Sequence, residues 1–264
     1  MSAPRETEVI ALANQKGGVG KTTTAINLGT ALAAVGKTVL IVDLDPQGNA
    51  STGLGFPANE RALTTYDVMM DGEPLLDAMV ETVVPNLMLA PGSIDLSSAD
   101  MELVEDRERL VKMRQALDPA RGRFDYILID CPPSLNMLTL NALVGSNSVL
   151  VPLQCEFFAL EGLSQLMKTV KEVQASLNTD LRIQGIVLTM ADKRNNLTAQ
   201  VEADARDTLG NLVYQTVIPR NVRLSEAPSH AIPALLYDHA SAGSLAYQKL
   251  AAELLRRQKD TIAA

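Results

Sequence analysis

Lys16-Gly17-Gly18-Val19-Gly20-Lys21-Thr22-Thr23 sets two lysines five residues apart around a glycine-rich turn. Glycine lets backbone wrap an anion without Cβ clashes, and at a helix start the free N–H groups and the positive dipole end face that anion. The chemistry is phosphate binding. The loop cradles the phosphates, Lys21 reaches the β/γ-phosphates and Thr22 holds Mg²⁺. The ordinary pattern G-x-x-x-x-G-K-[ST] asks for glycine at position 15, where this chain has Gln15, so the match is incomplete.

Carboxylates in two other places suit the same chemistry. Asp130 ends the apolar run Tyr126–Ile129 and is followed by Cys131-Pro132-Pro133. Alone it reads as a turn residue or helix cap; downstream of a phosphate loop it is placed to reach Mg²⁺, commonly through water. Asp43 and Asp45 leave another apolar run in Asp43-Leu44-Asp45-Pro46-Gln47-Gly48-Asn49. If Pro46 breaks the pleat, one carboxylate can face metal and the other water. Phosphoryl transfer needs positioning and charge neutralisation more than covalent help.

The elements that must hold these groups are legible from periodicity. Strands are predicted at Val9–Ala13, Thr38–Val42, Leu87–Ala90, Tyr126–Ile129, Ser148–Leu153, Ile183–Met190 and Val213–Val217. Helices are predicted at Thr22–Val35, Tyr66–Met70, Leu75–Val80, Met101–Leu117, Leu135–Val144, Phe157–Val173 and Leu197–Leu209. Leu245, Leu250, Leu254 and Leu255 predict one face of a C-terminal helix packed on the fold. The alternation predicts an α/β fold: a doubly wound, mainly parallel sheet with helices on both faces and ligands at the carboxyl ends of its strands. With no convincing linker or repeat, residues 1–264 read as a single domain, with a short N-terminal tail over 1–8 and a polar tail over 257–264.

Hydrophobic residues make up 47% of the 264 and aromatics 3%, so aliphatic side chains must fill a sizeable core. Cys131 and Cys155 form no C-x-x-C pair, and His230 and His239 have no cysteine nearby, which argues against a disulfide framework or zinc. Cys131 lacks a histidine base and reads as packing. The cluster from Glu105 to Arg109 reads as a solvated helix face with i,i+4 pairing. No apolar run suggests a signal peptide or membrane span, and a reducing cytoplasm fits. A net charge of −8 argues against bulk attraction to nucleic acid, yet residues 182–223 carry six basic and four acidic side chains, leaving room for a local basic face.

Asn14 through Thr22, with both lysines, resembles the deviant Walker-A motif of the ParA/MinD ATPases. Asp-x-Asp-Pro-Gln-Gly-Asn resembles the switch I of the ParA/Soj branch, and Pro219-Arg220-Asn221 followed by Glu226-Ala227-Pro228 resembles another ParA segment, so the likeness spans the chain. It implies an ATPase of the P-loop type using ATP and Mg²⁺. Lys16 would act across a dimer on the partner's nucleotide, Asp45 would position or activate the attacking water, and Asp43 would support the metal shell beside Thr22 and Asp130. Pro219 and Asn221 are implied near adenine, and Arg194 and Arg223 at DNA phosphates; the alternative for the arginines is ordinary surface.

The resemblance further implies DNA partitioning: an ATP-dependent homodimer that binds nonspecific double-stranded DNA, is stimulated by a ParB-type centromere-binding protein, and is cytoplasmic and nucleoid-associated with no membrane partner. The other branch is a MinD-like positioning ATPase on membranes. Beyond the last leucines, Arg256-Arg257-Gln258-Lys259-Asp260 is polar, with Ile262 the one apolar residue among 260–262, which disfavours that branch.

Overall fold

Val9-Ile10-Ala11-Leu12 and Val39-Leu40-Ile41-Val42 have no polar position at period two, as strands covered on both faces require. The computed structural model, which describes residues 6–262 except 104, 105, 107, 157, 158 and 193, builds one sheet from them. Its strands are β1 (Glu8–Leu12), β2 (Val39–Asp43), β3 (Val80–Glu81), β4 (Leu87–Ala90), β5 (Tyr126–Asp130), β6 (Ser148–Gln154) and β7 (Arg182–Thr189). They lie in the order β3-β4-β2-β5-β1-β6-β7, all parallel except the β3 edge.

The helices are α1 (Lys21–Ala34), α2 (Asn49–Gly53), α3 (Leu75–Ala78), α4 (Ala99–Glu102), α5 (Lys112–Leu117), α6 (Met137–Gly145), α7 (Ala159–Ser176), α8 (Asn196–Leu209), α9 (Val222–Glu226), α10 (Ala234–Tyr237) and α11 (Ala242–Ile262). Alternate strand residues feed two cores. Val9, Val42, Ile129 and Val151 meet side chains of α5, α6, α7 and α8 on one face; Ile10, Ile41, Leu128 and Leu150 meet α1 and α11 on the other. This is the doubly wound α/β sheet the sequence predicts. Among the described residues, no helix is long and apolar enough to cross a membrane.

Register places the chemistry. Asp43 at the end of β2 is the Cα partner of Asp130 at the end of β5, and Asp130 is also the partner of Leu12, where β1 hands over to the glycine loop. Strand order reverses direction around β1, the crevice where such sheets bind ligands.

Several elements differ from expectation. Met101–Leu117 is not one helix: α4 and α5 are separated by turns, with 104, 105 and 107 outside the described residues. There Asp106 accepts from the Glu108 N–H at 2.8 Å and pairs with Lys112 at 2.8 Å, so its side chain competes with helical hydrogen bonding. Leu75–Val80 is one turn followed by the edge strand β3, and Tyr66–Met70 becomes a wide turn over Asp67–Asp71. Val213–Val217 is no strand. Only Val213, beside Ile186, and Pro219, beside Ala191, make isolated bridges, because the Gln215 and Thr216 amides donate to the Glu253 carboxylate of α11 at 2.8 Å each.

The α11 face is shifted as well. Leu250 and Leu254 are buried with Tyr247 and Ala251 at i, i+3, i+4 and i+7 spacing, while Leu245 is 46% exposed and lies off that face. The expected tails are partly structure: Glu8 opens β1, and Arg257 stacks on Tyr214 at 4.0 Å while donating to the Asn211 and Val213 carbonyls.

Leu250→Ala should lower unfolding free energy by about 2–5 kcal/mol, and Leu245→Ala by under about 0.5 kcal/mol, read from urea midpoints. Burial alone would raise the Glu253 pKa, but the Gln215 and Thr216 groups and Arg257 outweigh it and hold it below its ordinary 4.5. A lowered carboxyl pKa contributes stability that is full above the unfolded value and is lost as pH falls through the folded one. The stability gap between native and Glu253→Gln chains should therefore narrow from pH 7 to pH 3.

Candidate nucleotide-binding site

Gly18 and Gly20 stand at φ 75° and 91°, where a side chain would be strained, and Gly20 caps α1 without a side-chain bond. That leaves the first amides of α1 for a ligand. Three contacts stiffen the loop, two of them with other strands. Asn14 accepts from the Lys16 amide at 3.0 Å and donates to the Pro152 carbonyl at 2.8 Å, and the Thr189 hydroxyl at the end of β7 donates to the Val19 carbonyl at 2.8 Å. Val19 itself is buried.

Lys21 folds back over the loop and donates to the Lys16 carbonyl at 3.2 Å. Burial lowers its pKa, opposed chiefly by Asp130 and also by Asp45. Lys16 behaves differently. Its ammonium turns outward to an ion pair with Glu156, both side chains about half exposed.

Asp130 is fully buried and neither carboxylate oxygen has a hydrogen-bond partner. Burial and then Asp43 push its pKa well up; the Thr22 hydroxyl and Lys21 oppose this from nearby, the hydroxyl lying outside hydrogen-bond geometry. Uncompensated buried carboxylate is costly. A hard divalent cation, which takes one or two carboxylates plus phosphate oxygens, fits that donor set.

Asp43, also fully buried, is occupied. One oxygen accepts from the Ser51 amide and hydroxyl at 2.8 and 2.6 Å, the other from the Asp45 amide at 3.3 Å. Burial pushes its pKa to about 6 despite those bonds. Expected to support a metal shell, it here pins the loop that follows β2. Asp45 accepts from the Gln47 amide at 3.0 Å and faces a cavity of about 260 Å³ with Gly18, Lys21, Thr22 and Thr23.

A second cavity of about 470 Å³ also touches Gly20, Thr23 and Met190 and is walled by Pro219, Asn221 and Tyr247. The two cavities therefore adjoin, one suited to phosphates and the other to a base. Tyr247 meets the Thr24 hydroxyl at 3.0 Å, tying α11 to α1. Met190 sits at φ 53°, a left-handed position that no residue pattern announces. Sequence reasoning placed Asn14 within the motif without giving it a role, and missed Ser51, Thr189 and Met190, which meet the motif only through the fold.

The structure does not bring Arg194 and Arg223 into one cavity. Arg194 is bidentate to Asp192, at 3.0 and 2.8 Å, beside a groove of about 1040 Å³ that also holds Arg220, Lys249 and Arg256. Arg223, on α9, pairs with Glu226 at 2.8 Å and Asp238 at 3.4 Å. Arg220 lines both the groove and the second cavity.

A family model described as an AAA domain matches residues 7–183. The chain is 58% identical over 254 residues to the chromosome partitioning protein ParA of Caulobacter vibrioides, covering 96% of this chain and 95% of that one. It is 52% identical over 247 residues to the sporulation initiation inhibitor protein Soj of Bacillus subtilis, covering 94% and 98%. A Mycobacterium smegmatis structure described as cobyrinic acid a,c-diamide synthase with bound ADP and magnesium superposes at a TM-score of 0.84, with 37% identity and 96% coverage of each chain.

A carboxylate whose pKa is raised makes the ligand-free fold lose stability as pH rises from its unfolded through its folded value. Asp130→Asn should therefore leave the ligand-free chain at least as stable as native at pH 8. It should also abolish the Mg²⁺-dependent part of the thermal shift with ATP, measured against EDTA.

Proposed function

The chain belongs to the family of the ParA and Soj chromosome-partitioning ATPases, and on that premise we propose that it is an ATP-driven switch that pairs two copies around nucleotide, holds DNA without regard to sequence while paired, and releases it after hydrolysis. The observation that carries the nucleotide part is Asp130, a buried carboxylate with two unpartnered oxygens beside the phosphate loop.

In this reading the amides of Gly17, Gly18, Val19 and Gly20, with Thr23 and Lys21, hold the phosphates, while Pro219 and Asn221 wall the base. Thr22 and Asp130 would hold Mg²⁺, which when bound would supply neutralisation of phosphate charge. Asp45 orients the attacking water, and Asp43 keeps the Asp45 loop in place. Lys16 leaves Glu156 and neutralises charge on the partner copy's nucleotide, in the manner of an arginine finger supplied in trans. An exposed ion pair contributes little, so that exchange costs little. A lone chain then binds ATP but hydrolyses it slowly, and pairing is the switch.

For DNA, Arg194 shares its groove with Arg220, Lys249 and Arg256, four cations against Asp192 and Glu253. Arg194 and Arg223 would exchange exposed carboxylates for phosphates, a sequence-independent contact that weakens steeply with salt. DNA binding places the protein on the nucleoid. A ParB-type centromere-binding protein is the proposed stimulator, and the net charge of −8 suits docking of a basic segment.

Sedimentation with nonspecific duplex DNA tests the reading, in ATP–Mg²⁺ and in ADP–Mg²⁺. Native chain and Asp45→Ala, in which hydrolysis is slowed, should pellet with DNA only in ATP. Arg194→Ala and Arg223→Ala should each reduce binding about tenfold or more at about 150 mM salt. No ATP-dependent pelleting even of Asp45→Ala would reject DNA as the target.

A further inference from the structure

Arg61 takes no part in the phosphate or base cavity, yet its guanidinium reaches four acceptors from three stretches of chain. Nε donates to the Phe56 carbonyl at 3.0 Å, Nη1 to the Gly92 carbonyl at 2.6 Å, and Nη2 to the Gly48 carbonyl at 3.1 Å and the Thr52 hydroxyl at 2.9 Å. Gly48 closes the turn opened by Asp45: its amide donates to the Asp45 carbonyl at 2.8 Å. Two hydrogen bonds thus separate the guanidinium from the Asp45 backbone.

The other anchor, Gly92, follows β4. Its amide donates to the Ser51 hydroxyl at 3.0 Å, and that hydroxyl donates to Asp43. A Cβ on Gly92 would come within 2.8 Å of the Asp43 carbonyl and 3.2 Å of the Asp45 carbonyl. The loop that carries Asp45 is therefore pressed against Gly92 and gripped there from two sides, through Asp43 and Ser51 on one and Arg61 on the other. The planar fork bridges Gly92 and Gly48 at once; the single nitrogen of a lysine lacks that span.

We propose that Arg61 is a positioning residue for hydrolysis, holding the Gly48 end of the turn so that the Asp45 carboxylate faces the phosphate cavity. This rests on the reading of Asp45 as the group that orients water. It assigns Arg61 to the rate of the chemical step and not to nucleotide affinity.

The test compares steady-state ATP turnover and ADP affinity of the full chain in native, Arg61→Ala, Arg61→Lys, Asp45→Ala and doubly substituted Arg61→Ala/Asp45→Ala forms. Both Arg61 variants should lose about tenfold or more in kcat with KM and ADP affinity within about twofold, the pattern of an interaction used in the transition state. The double variant should be no slower than Asp45→Ala, since one effect acts through the other. Should Arg61→Ala fail to fold, Arg61→Lys carries the comparison. A kcat within about twofold of native in an Arg61 variant while Asp45→Ala is inactive overturns this inference alone. ADP affinity falling in step with kcat reduces Arg61 to general support of the fold and overturns it too. Native-rate hydrolysis by Asp45→Ala overturns both this inference and the reading of Asp45.

Discussion

Two carboxylates with no access to water stand side by side where β2 and β5 end. Dehydration and mutual repulsion oppose the charged form of each, and such a pair is tolerable only if something answers its charge. The fold answers it asymmetrically. Asp43 is given the Ser51 amide and hydroxyl and the Asp45 amide, whereas Asp130 is given none. Asp43 thereby becomes the post to which the loop after β2 is tied, while both Asp130 oxygens are left unsatisfied, a donor set that suits a cation. The remaining features of the site, from Lys21 bent over the loop to Thr189 beneath Val19, are arranged around that difference.

How much was readable in the chain follows the range of the interactions. The phosphate loop, α1 and the strand-ending aspartates depend on local spacing, and they lie where the pattern predicted. Most of the sheet was legible because β1, β2, β4 and β5 are built on uninterrupted apolar runs, whereas the two-residue β3 edge carries no such signal. Val213–Val217 has the same look, yet its amides are claimed by Glu253, some forty residues on, and no local pattern encodes that. The Met101–Leu117 helix fails for a local reason that periodicity ignores, the side chain of Asp106 bonding its neighbour's amide. Leu245 was assigned to the buried face by residue type, although Tyr247, Leu250, Ala251 and Leu254 supply the better stripe. Asp43 was recognised as part of the site, but its partner Ser51 makes sense only once α2 folds back beneath it.

α11 joins parts of the molecule that a motif scan treats separately. Tyr247 touches α1 and walls the second cavity, Glu253 fixes the segment leading to Pro219 and Asn221, and Lys249 and Arg256 line the groove beside Arg194. One helix thus borders both the second cavity and the basic groove. Arg220 lines both, so the second cavity and the groove share one cation as well as one helix.

The strand order also governs how the chain is made. β1 emerges first from the ribosome, but its neighbours in the sheet are β5 and β6, more than a hundred residues later. The loop that follows it is tied by Thr189, and the wall of the second cavity waits for Tyr247. Synthesis proceeds at about 5–20 residues per second, so the glycine loop spends many seconds exposed without the strands that shape it. Parallel pairing over such separations is intrinsically slow. A nascent chain therefore completes both cavities as one of the last acts of folding, after Thr189 and Tyr247 have emerged.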